Sequence, residues 1–128
     1  MKVSLHHCHL YSLNVDNSIK FYREMLDAKV VFDGEIAESR NVLLQIGSGF
    51  INLYDQPPKD NEKGILHHLG FHTDDLNALV EHMRSKGCEF RKPITDLGYL
   101  KYIMVEGPDN LLLELFETNN IDINNSEN

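Results

Sequence analysis

The chain repeats one pattern of residues. Four residues of the first half have counterparts 61 positions later in the second half (68−7, 76−15, 80−19, 83−22). The pairs are His7 and His68, Val15 and Leu76, Ile19 and Val80, and Tyr22 and Met83. Each copy reads as a strand with a histidine, followed by a helix with one apolar stripe. A further pair, Asn52 and Glu114, lies near the ends of the copies, 62 positions apart (114−52). The repeat predicts two similar modules that place two histidines, one carboxylate and one amide at related positions.

Composition excludes several classes of function. At 128 residues with 41% hydrophobic residues, the chain fits one compact domain, or two very small modules that share one core. A net charge of −8 and the lack of a dense Lys/Arg run argue against a nucleic-acid partner. No apolar run approaches the ~20 residues that cross a bilayer, and no signal-peptide core is visible, so we expect no membrane partner and a cytoplasmic location. Cys8 and Cys88 form no CxxC pair and are expected to be reduced core residues.

The first copy, residues 3–54, reads as a βαβββ unit. Alternation predicts a strand over residues 3–13, and Asn14 or Asp16 can cap the helix that follows. Three short strands are expected near residues 29–32, 41–46 and 50–54. The turns between them are predicted at residues 33–34 and 47–49.

The second copy, residues 65–117, repeats this order after an exposed linker at residues 55–64. Asp74 is expected to cap its helix and Gly87 to end it. The strands are predicted at residues 66–72, 89–92, 100–105 and 111–117. Residues 118–128 are polar and without pattern, which predicts a disordered tail. The fold class is therefore α+β, with one domain over residues 1–117 built from two βαβββ modules.

His7, His68 and Glu114 form the candidate metal site. Two imidazoles and one carboxylate are a common ligand set for Zn, Ni, Co, Mn or Fe. Glu114 interrupts an apolar strand, where a carboxylate is costly unless it is paired or bound to a cation. The alternative for these residues is a ligand cavity without metal.

Other histidines stand close to the candidate ligands. His9 and His72 share a strand face with His7 and His68, and they are either hydrogen-bonded cavity walls or proton carriers beside the metal. By alternation, His6 and His67 point to the opposite face and are expected to pack or to form an interface.

Three stretches resemble the vicinal oxygen chelate superfamily, which includes glyoxalase I, epimerases, extradiol dioxygenases, and fosfomycin and bleomycin resistance proteins. They are His7 with residues 18–23, residues 68–71, and the hairpin and strand at residues 107–115. The resemblance implies a cupped, incomplete β-barrel with a divalent metal held by His7, His68 and Glu114. The fourth metal position of the family falls on Asn52, where glyoxalases usually have glutamate and epimerases glutamine.

The resemblance also implies an activity. The leading hypothesis is a homodimeric lyase or isomerase of glyoxalase I or epimerase type, acting on a small oxygen-chelating substrate through an enediolate, with Glu114 as base and His9 or His72 assisting. A drug- or metabolite-binding protein and a non-haem Fe(II) dioxygenase are the alternatives. Asn52 weakens the dioxygenase reading because asparagine cannot transfer a proton. The absence of basic residues after Glu114 weakens a fosfomycin-resistance reading.

Overall fold

The computed structural model describes residue 2, residues 5–58 and residues 66–118. The chain divides into two compact units, Met1–Lys63 and Gly64–Asn128. Each unit has one α-helix and an open, four-stranded mixed sheet. The predicted α+β class with two βαβββ modules is therefore confirmed. From residue 59 onward the predicted linker lies outside the described residues, as does the predicted tail from residue 119.

The first unit begins with a strand and a helix, β1 (His7–Tyr11) and α1 (Val15–Leu26). It continues with β2 (Lys29–Ile36), β3 (Ser39–Ile46) and β4 (Gly49–Tyr54). The strand order is β1-β4-β3-β2, in which β1 pairs parallel to β4 and the other pairs are antiparallel. Because strand side chains alternate between faces, each sheet has a core face and an opposite face. The buried residues of the first unit's core face and of α1 are Val42, Leu44, Ile51, Leu53, Val15 and Tyr22.

The second unit repeats the arrangement with β5 (Leu69–His72) and α2 (Leu76–Ser85). Its remaining strands are β6 (Thr95–Asp96), β7 (Leu100–Glu106) and β8 (Leu112–Thr118), with a 3₁₀ turn at Pro108–Asn110. The strand order β5-β8-β7-β6 matches that of the first unit, with β5 parallel to β8. The buried residues of this unit's core are Leu76, Val80, Met83, Ile103, Val105, Leu113 and Leu115. Both helices therefore bury most of the apolar stripe that the sequence repeat predicts, with Ile19 of α1 only half-buried.

The helix caps confirm one prediction and correct another. The side chain of Asn14 accepts a hydrogen bond from the backbone N–H of Asn17 at 3.0 Å, as expected of a capping residue. In the second unit the cap is Asp75, which accepts from the N–H of Ala78 at 3.0 Å, so the prediction of Asp74 is wrong. Asp75 directly precedes the first helical residue and reaches the third N–H, whereas Asp74 lies one residue too early.

Two predicted sheet boundaries are also wrong. Residues 33–34 lie within β2, and the turn falls at Ala37 and Glu38, whose φ angles of 53° and 70° are in the left-handed region. Neither residue type signals such a turn. Residues 89–92 form no strand, and pairing with β7 begins only at Thr95. Pro93, which has no N–H to donate to a ladder, separates the predicted strand from the observed one.

The described residues also bear on membrane insertion and on the state of the two cysteines. No helix in the described part of the chain is both long enough and apolar enough to span a membrane. Cys8 and Cys88 are free thiols that are half-buried rather than in the core. Burial, together with the nearby Glu89, raises the pKa of the Cys88 thiol.

Arg40 joins three elements of the first unit. Its guanidinium donates two hydrogen bonds to the Asp33 carboxylate, both at 2.9 Å, and a third to Asp16 in the first turn of α1 at 3.1 Å. The hydrogen bonds from Arg40 hold the pKa of Asp33 below its ordinary value of 3.8. The bidentate pair links β2 to β3 diagonally, since Asp33 lies opposite Val42 and Arg40 opposite Glu35 in the ladder.

The Asp33–Arg40 pair predicts a stability that depends on pH. The pKa of Asp33 is lower in the folded protein than in the unfolded chain, so the contribution is fully present above about pH 4 and is lost as pH falls through the folded value. We expect Asp33→Asn to lower the free energy of unfolding at pH 7 by roughly 0.2–1 kcal/mol, the range for an exposed pair. Urea unfolding of both proteins at pH 7 and pH 3 measures it. Equal losses at both pH values would contradict the assignment. Arg40→Lys, which keeps the charge but not the bidentate geometry, should retain only part of the contribution of the pair.

Candidate functional site

The first unit brings three predicted site residues to one sheet face. In the parallel pairing of β1 and β4, His9 lies opposite Asn52 and His7 opposite Phe50. Paired residues share a face, so His7, His9 and Asn52 all lie opposite the core face. The His7 and His9 rings are 6.4 Å apart between centroids, and His9 lies 5.0 Å from the Tyr54 ring. We call His7, His9 and Asn52 the first cluster.

The amide group of Asn52 is held by one hydrogen bond through its nitrogen. Its Nδ2 donates to Oδ1 of Asn41 at 3.4 Å, and the Nδ2 of Asn41 donates to the carbonyl oxygen of Ser39 at 3.1 Å. The Oδ1 of Asn52 is buried and has no hydrogen-bond partner among the described residues. Leaving a buried acceptor unsatisfied costs about 1–3 kcal/mol. A cation is one group that could satisfy this oxygen, so Asn52 fits a role as a metal ligand.

The second unit brings His68 and Glu114 together. Gly70 on β5 pairs with Glu114 on β8, and His68 lies two residues before Gly70. The Nε2 of His68 lies 3.4 Å from the Oε1 of Glu114, with 31% and 23% of the two side chains exposed. The neighbours of Glu114 on the strand, Leu113 and Leu115, are fully buried on the core face. Alternation along β8 therefore presents this carboxylate on the face that α2 does not cover.

Gly70 leaves the space above Glu114 open. A Cβ at position 70 would lie 3.6 Å from the Oε1 of Glu114 and 3.5 Å from the Phe116 ring, which is ordinary contact. A larger side chain would extend over the carboxylate. In the first cluster the corresponding position is His9, opposite Asn52. The two copies thus differ at the position opposite their predicted oxygen ligand.

His72 has its own polar contact on β8. Its ring lies edge-on to Phe116 with centroids 5.2 Å apart, and its Nε2 lies 3.3 Å from the hydroxyl of Thr118. The strand pairing places His72 opposite Phe116, two residues beyond Glu114. We call His68, His72 and Glu114 the second cluster.

His6 and His67 contact the predicted ligands, which the alternation argument missed. The Nδ1 of His6 lies 2.9 Å from the Nδ1 of His7, and the Nδ1 of His67 lies 2.7 Å from that of His68. The His6 ring also stacks on Phe50 at 4.4 Å, so the prediction that it points away is wrong. Both residues precede the first residue of their strand, where alternation no longer applies. The sequence signal for these contacts is the His-His pair that occurs at the same place in both copies.

The two clusters lie in different units, and each supplies one histidine and one oxygen donor for the predicted ligand set. Within residues 5–58 and 66–118, no group of three or more His, Cys, Asp or Glu side chains lies close enough to hold a metal ion. The chemistry of the donors nevertheless suits a divalent cation, because imidazole nitrogen, carboxylate oxygen and amide oxygen are all metal ligands. The direct contact of His68 with Glu114 and the unsatisfied oxygen of Asn52 are the two features that fit such a cation.

The chain matches one family profile. Residues 4–115 match the family described as Glyoxalase/Bleomycin resistance protein/Dioxygenase superfamily. The comparison with curated proteins finds no match.

Solved structures share the fold. A glyoxylase/bleomycin resistance protein/dioxygenase domain from Frankia sp. EAN1pec is 20% identical, with 99% of each chain covered and a TM-score of 0.76. The fosfomycin resistance protein FosX from Listeria monocytogenes, complexed with Mn(II) and sulfate, is 17% identical over 94% of this chain and 96% of that one, with a TM-score of 0.74. A glyoxalase family protein from Enterococcus faecalis is 25% identical over 89% and 97%, with a TM-score of 0.74.

Proposed function

The chain belongs to the Glyoxalase/Bleomycin resistance protein/Dioxygenase superfamily, and on that basis we propose that it is a divalent-metal enzyme of glyoxalase or epimerase type. Its substrate would be a small molecule with neighbouring oxygens and an acidic C–H bond. The observation that carries the proposal is the contact of His68 with Glu114 at 3.4 Å on a strand whose other face is fully buried. A carboxylate and an imidazole this close together can bind the same divalent cation.

The metal ligands in this proposal are His7, His68 and Glu114, with the amide oxygen of Asn52 as the fourth. One chain or two can supply them, since each cluster is complete within its own unit. Mn(II) is bound by the Listeria FosX structure, and we include it with Zn, Ni, Co and Fe as candidates. The bound cation supplies stabilisation for negative charge that develops on the substrate oxygens. With one carboxylate among four ligands, the site would keep a net charge of about +1.

Proton transfer falls to the side chains around the ligands. Glu114 would take the proton from the substrate carbon, because Gly70 leaves its carboxylate uncovered by a neighbouring side chain. His9 lies directly opposite Asn52 and is a second carrier. His72 is the corresponding candidate in the second unit, where its contact with Thr118 orients the ring. Asn52 itself has no proton to exchange in the working pH range.

Metal analysis tests the proposal first. Protein purified without an affinity tag should contain a divalent metal, and His68→Ala purified in parallel should contain much less. With the loaded protein, a panel of α-hydroxycarbonyl compounds in D₂O should show deuterium entering the carbon next to the carbonyl, detected by NMR. Equal, near-zero metal in both proteins, including after incubation with Mn²⁺, would refute the proposal.

The same samples separate the alternatives. A metal-independent binding protein would show a ligand-induced rise in melting temperature that EDTA does not change. An Fe(II) dioxygenase would consume oxygen with a catechol, which an oxygen electrode detects. Fosfomycin is added as one further substrate with Mn²⁺, and loss of the epoxide resonances would assign the protein to that chemistry instead.

We also propose a homodimer, as the resemblance to this superfamily implies. Its support in the first unit is the edge strand β2, on which Val30, Val31, Phe32 and Ile36 are between 40% and 52% exposed. Exposed apolar patches of this kind commonly mark contacts with another protein. Sedimentation equilibrium distinguishes a dimer from a monomer directly.

A further inference from the structure

Asn41 is a buried polar residue that the proposed chemistry leaves unused. It lies on β3 with 4% of its surface exposed, and it is one of three buried polar residues in the described chain. Register places it opposite Tyr54, with Asn52 opposite Leu43, so Asn41 and Asn52 are diagonal neighbours on one sheet face. Burying an amide costs more free energy than burying an aliphatic side chain, so a buried asparagine indicates a specific role.

The hydrogen bonds of Asn41 determine which end of Asn52 is free. The carbonyl of Ser39 can only accept, so Asn41 must present its Nδ2 to it and its Oδ1 to Asn52. Asn52 must then donate a hydrogen bond from its Nδ2, which leaves its Oδ1 as the unsatisfied atom. The assignment of oxygen and nitrogen in both amides thus follows from one backbone carbonyl.

Comparison of the two copies gives independent support. By register, Asn41 corresponds to Tyr102 in the second unit, 61 positions later (102−41), and Asn52 corresponds to Glu114. A carboxylate has two equivalent oxygens and needs no partner to choose between them. An amide offers oxygen on one side and nitrogen on the other, and only the oxygen binds a cation. The orienting amide therefore occurs in the copy that has an amide ligand and not in the copy that has a carboxylate.

We propose that Asn41 is a positioning residue that turns the amide oxygen of Asn52 toward a divalent cation. The inference rests on the proposed function, since it presumes a cation at this site. Without Asn41, the Asn52 amide can rotate and present its NH₂ group, which a metal repels. Residues that orient a metal ligand typically account for roughly a 10–100-fold change in affinity. We expect Asn41→Leu to weaken Mn²⁺ binding about tenfold, at the lower end of that range.

A double-mutant cycle tests the route of the effect. Mn²⁺ dissociation constants are measured by electron paramagnetic resonance for the wild type, Asn41→Leu, Asn52→Ala and the double variant. If Asn41 acts through the Asn52 oxygen, Asn41→Leu has no further effect once Asn52 is alanine. A general structural role would weaken binding by the same factor in both backgrounds. Gln56→Leu is the matched control, because Gln56 also donates a side-chain amide hydrogen bond to Ser39, to the hydroxyl at 2.8 Å, but does not contact Asn52.

A second readout does not depend on affinity. In ¹⁵N-labelled protein, Zn²⁺ should shift the side-chain NH₂ resonances of Asn52 in the wild type. In Asn41→Leu those resonances should already be displaced before any metal is added, because the hydrogen bond from Asn52 to Asn41 is lost, and Zn²⁺ should shift them less than in the wild type. Asn41→Ser, which is too short to reach Asn52, replaces Asn41→Leu in both experiments if the leucine variant fails to fold.

The outcomes separate the two proposals. Weaker binding in Asn41→Leu alone, with no further loss in the double variant, supports the positioning role. Unchanged Mn²⁺ affinity in Asn41→Leu, or an equal loss in both backgrounds, overturns the role of Asn41 and leaves the metal site standing. Binding of neither Mn²⁺ nor Zn²⁺ by the wild type refutes the metal site itself.

Discussion

Replacing Glu114 by glutamine is expected to weaken divalent-cation binding more than 100-fold, which exceeds the roughly 10–100-fold effect of residues that only orient a ligand. Glu114 is the one carboxylate in the proposed ligand set, so the substitution removes its negative charge as well as one anionic oxygen. Glutamine keeps the length and shape of the side chain. Strand β8 should therefore remain paired with β5 and β7, and the free energy of unfolding without metal should change little.

Calorimetric titration with Mn²⁺ measures the change, with urea unfolding of the metal-free proteins as a check on folding. Glu106→Gln is the matched control: Glu106 lies on neighbouring β7 and forms its ion pair with Arg91 at 3.0 Å, away from the second cluster. The Glu106→Gln variant should bind Mn²⁺ with wild-type affinity. Wild-type affinity in Glu114→Gln would remove Glu114 from the ligand set, and with it the base of the proposed reaction.

Leu115→Ala is expected to lower the free energy of unfolding by about 2–5 kcal/mol, the range for truncating a fully buried leucine. Leu115 is 0% exposed and pairs with Ile103 on β7 and Phe71 on β5. Its removal would leave a cavity between the sheet and α2 that these neighbours can fill only in part. Because Leu115 adjoins Glu114 on β8, the same substitution should loosen the strand that presents the carboxylate.

Urea unfolding monitored by circular dichroism measures the loss. Leu97→Ala is the comparison, since Leu97 is 50% exposed and its truncation should stay within about 0.5 kcal/mol. If the two variants lose the same free energy, the core face of the second sheet has been assigned to the wrong side chains.

Much of the architecture could be predicted because it follows from local periodicity. The 61-residue repeat fixes the order of elements, and alternation along β8 separates Leu113 and Leu115 from Glu114. The same alternation places His7 and His9 on one face of β1. These predictions need only the residue periods of a strand and a helix, and both periods are visible in the spacing of apolar residues.

What could not be predicted depends on contacts between distant residues. Asp33-Gly34 resembles a turn, yet both residues lie within β2, where Arg40 from β3 binds the Asp33 carboxylate. Asp74 and Asp75 are equally good caps until the first helical residue is known. Alternation places His6 on the opposite face only if the strand begins before it, whereas β1 begins at His7.

The orienting role of Asn41 was also invisible in the sequence. An asparagine in a strand is usually solvated, and only the β3–β4 register reveals that Asn41 is buried beside Asn52. The alternation pattern indicates which face a residue occupies, but not which diagonal neighbour its amide reaches.

The contrast between His9 and Gly70 means that the two modules do not offer a ligand the same surroundings. Two identical copies would present equivalent environments, and a small molecule would have no preference for either. Here an imidazole stands opposite Asn52 in one copy, and only hydrogen stands opposite Glu114 in the other. In the metal site proposed above, this difference would give a substrate one preferred orientation.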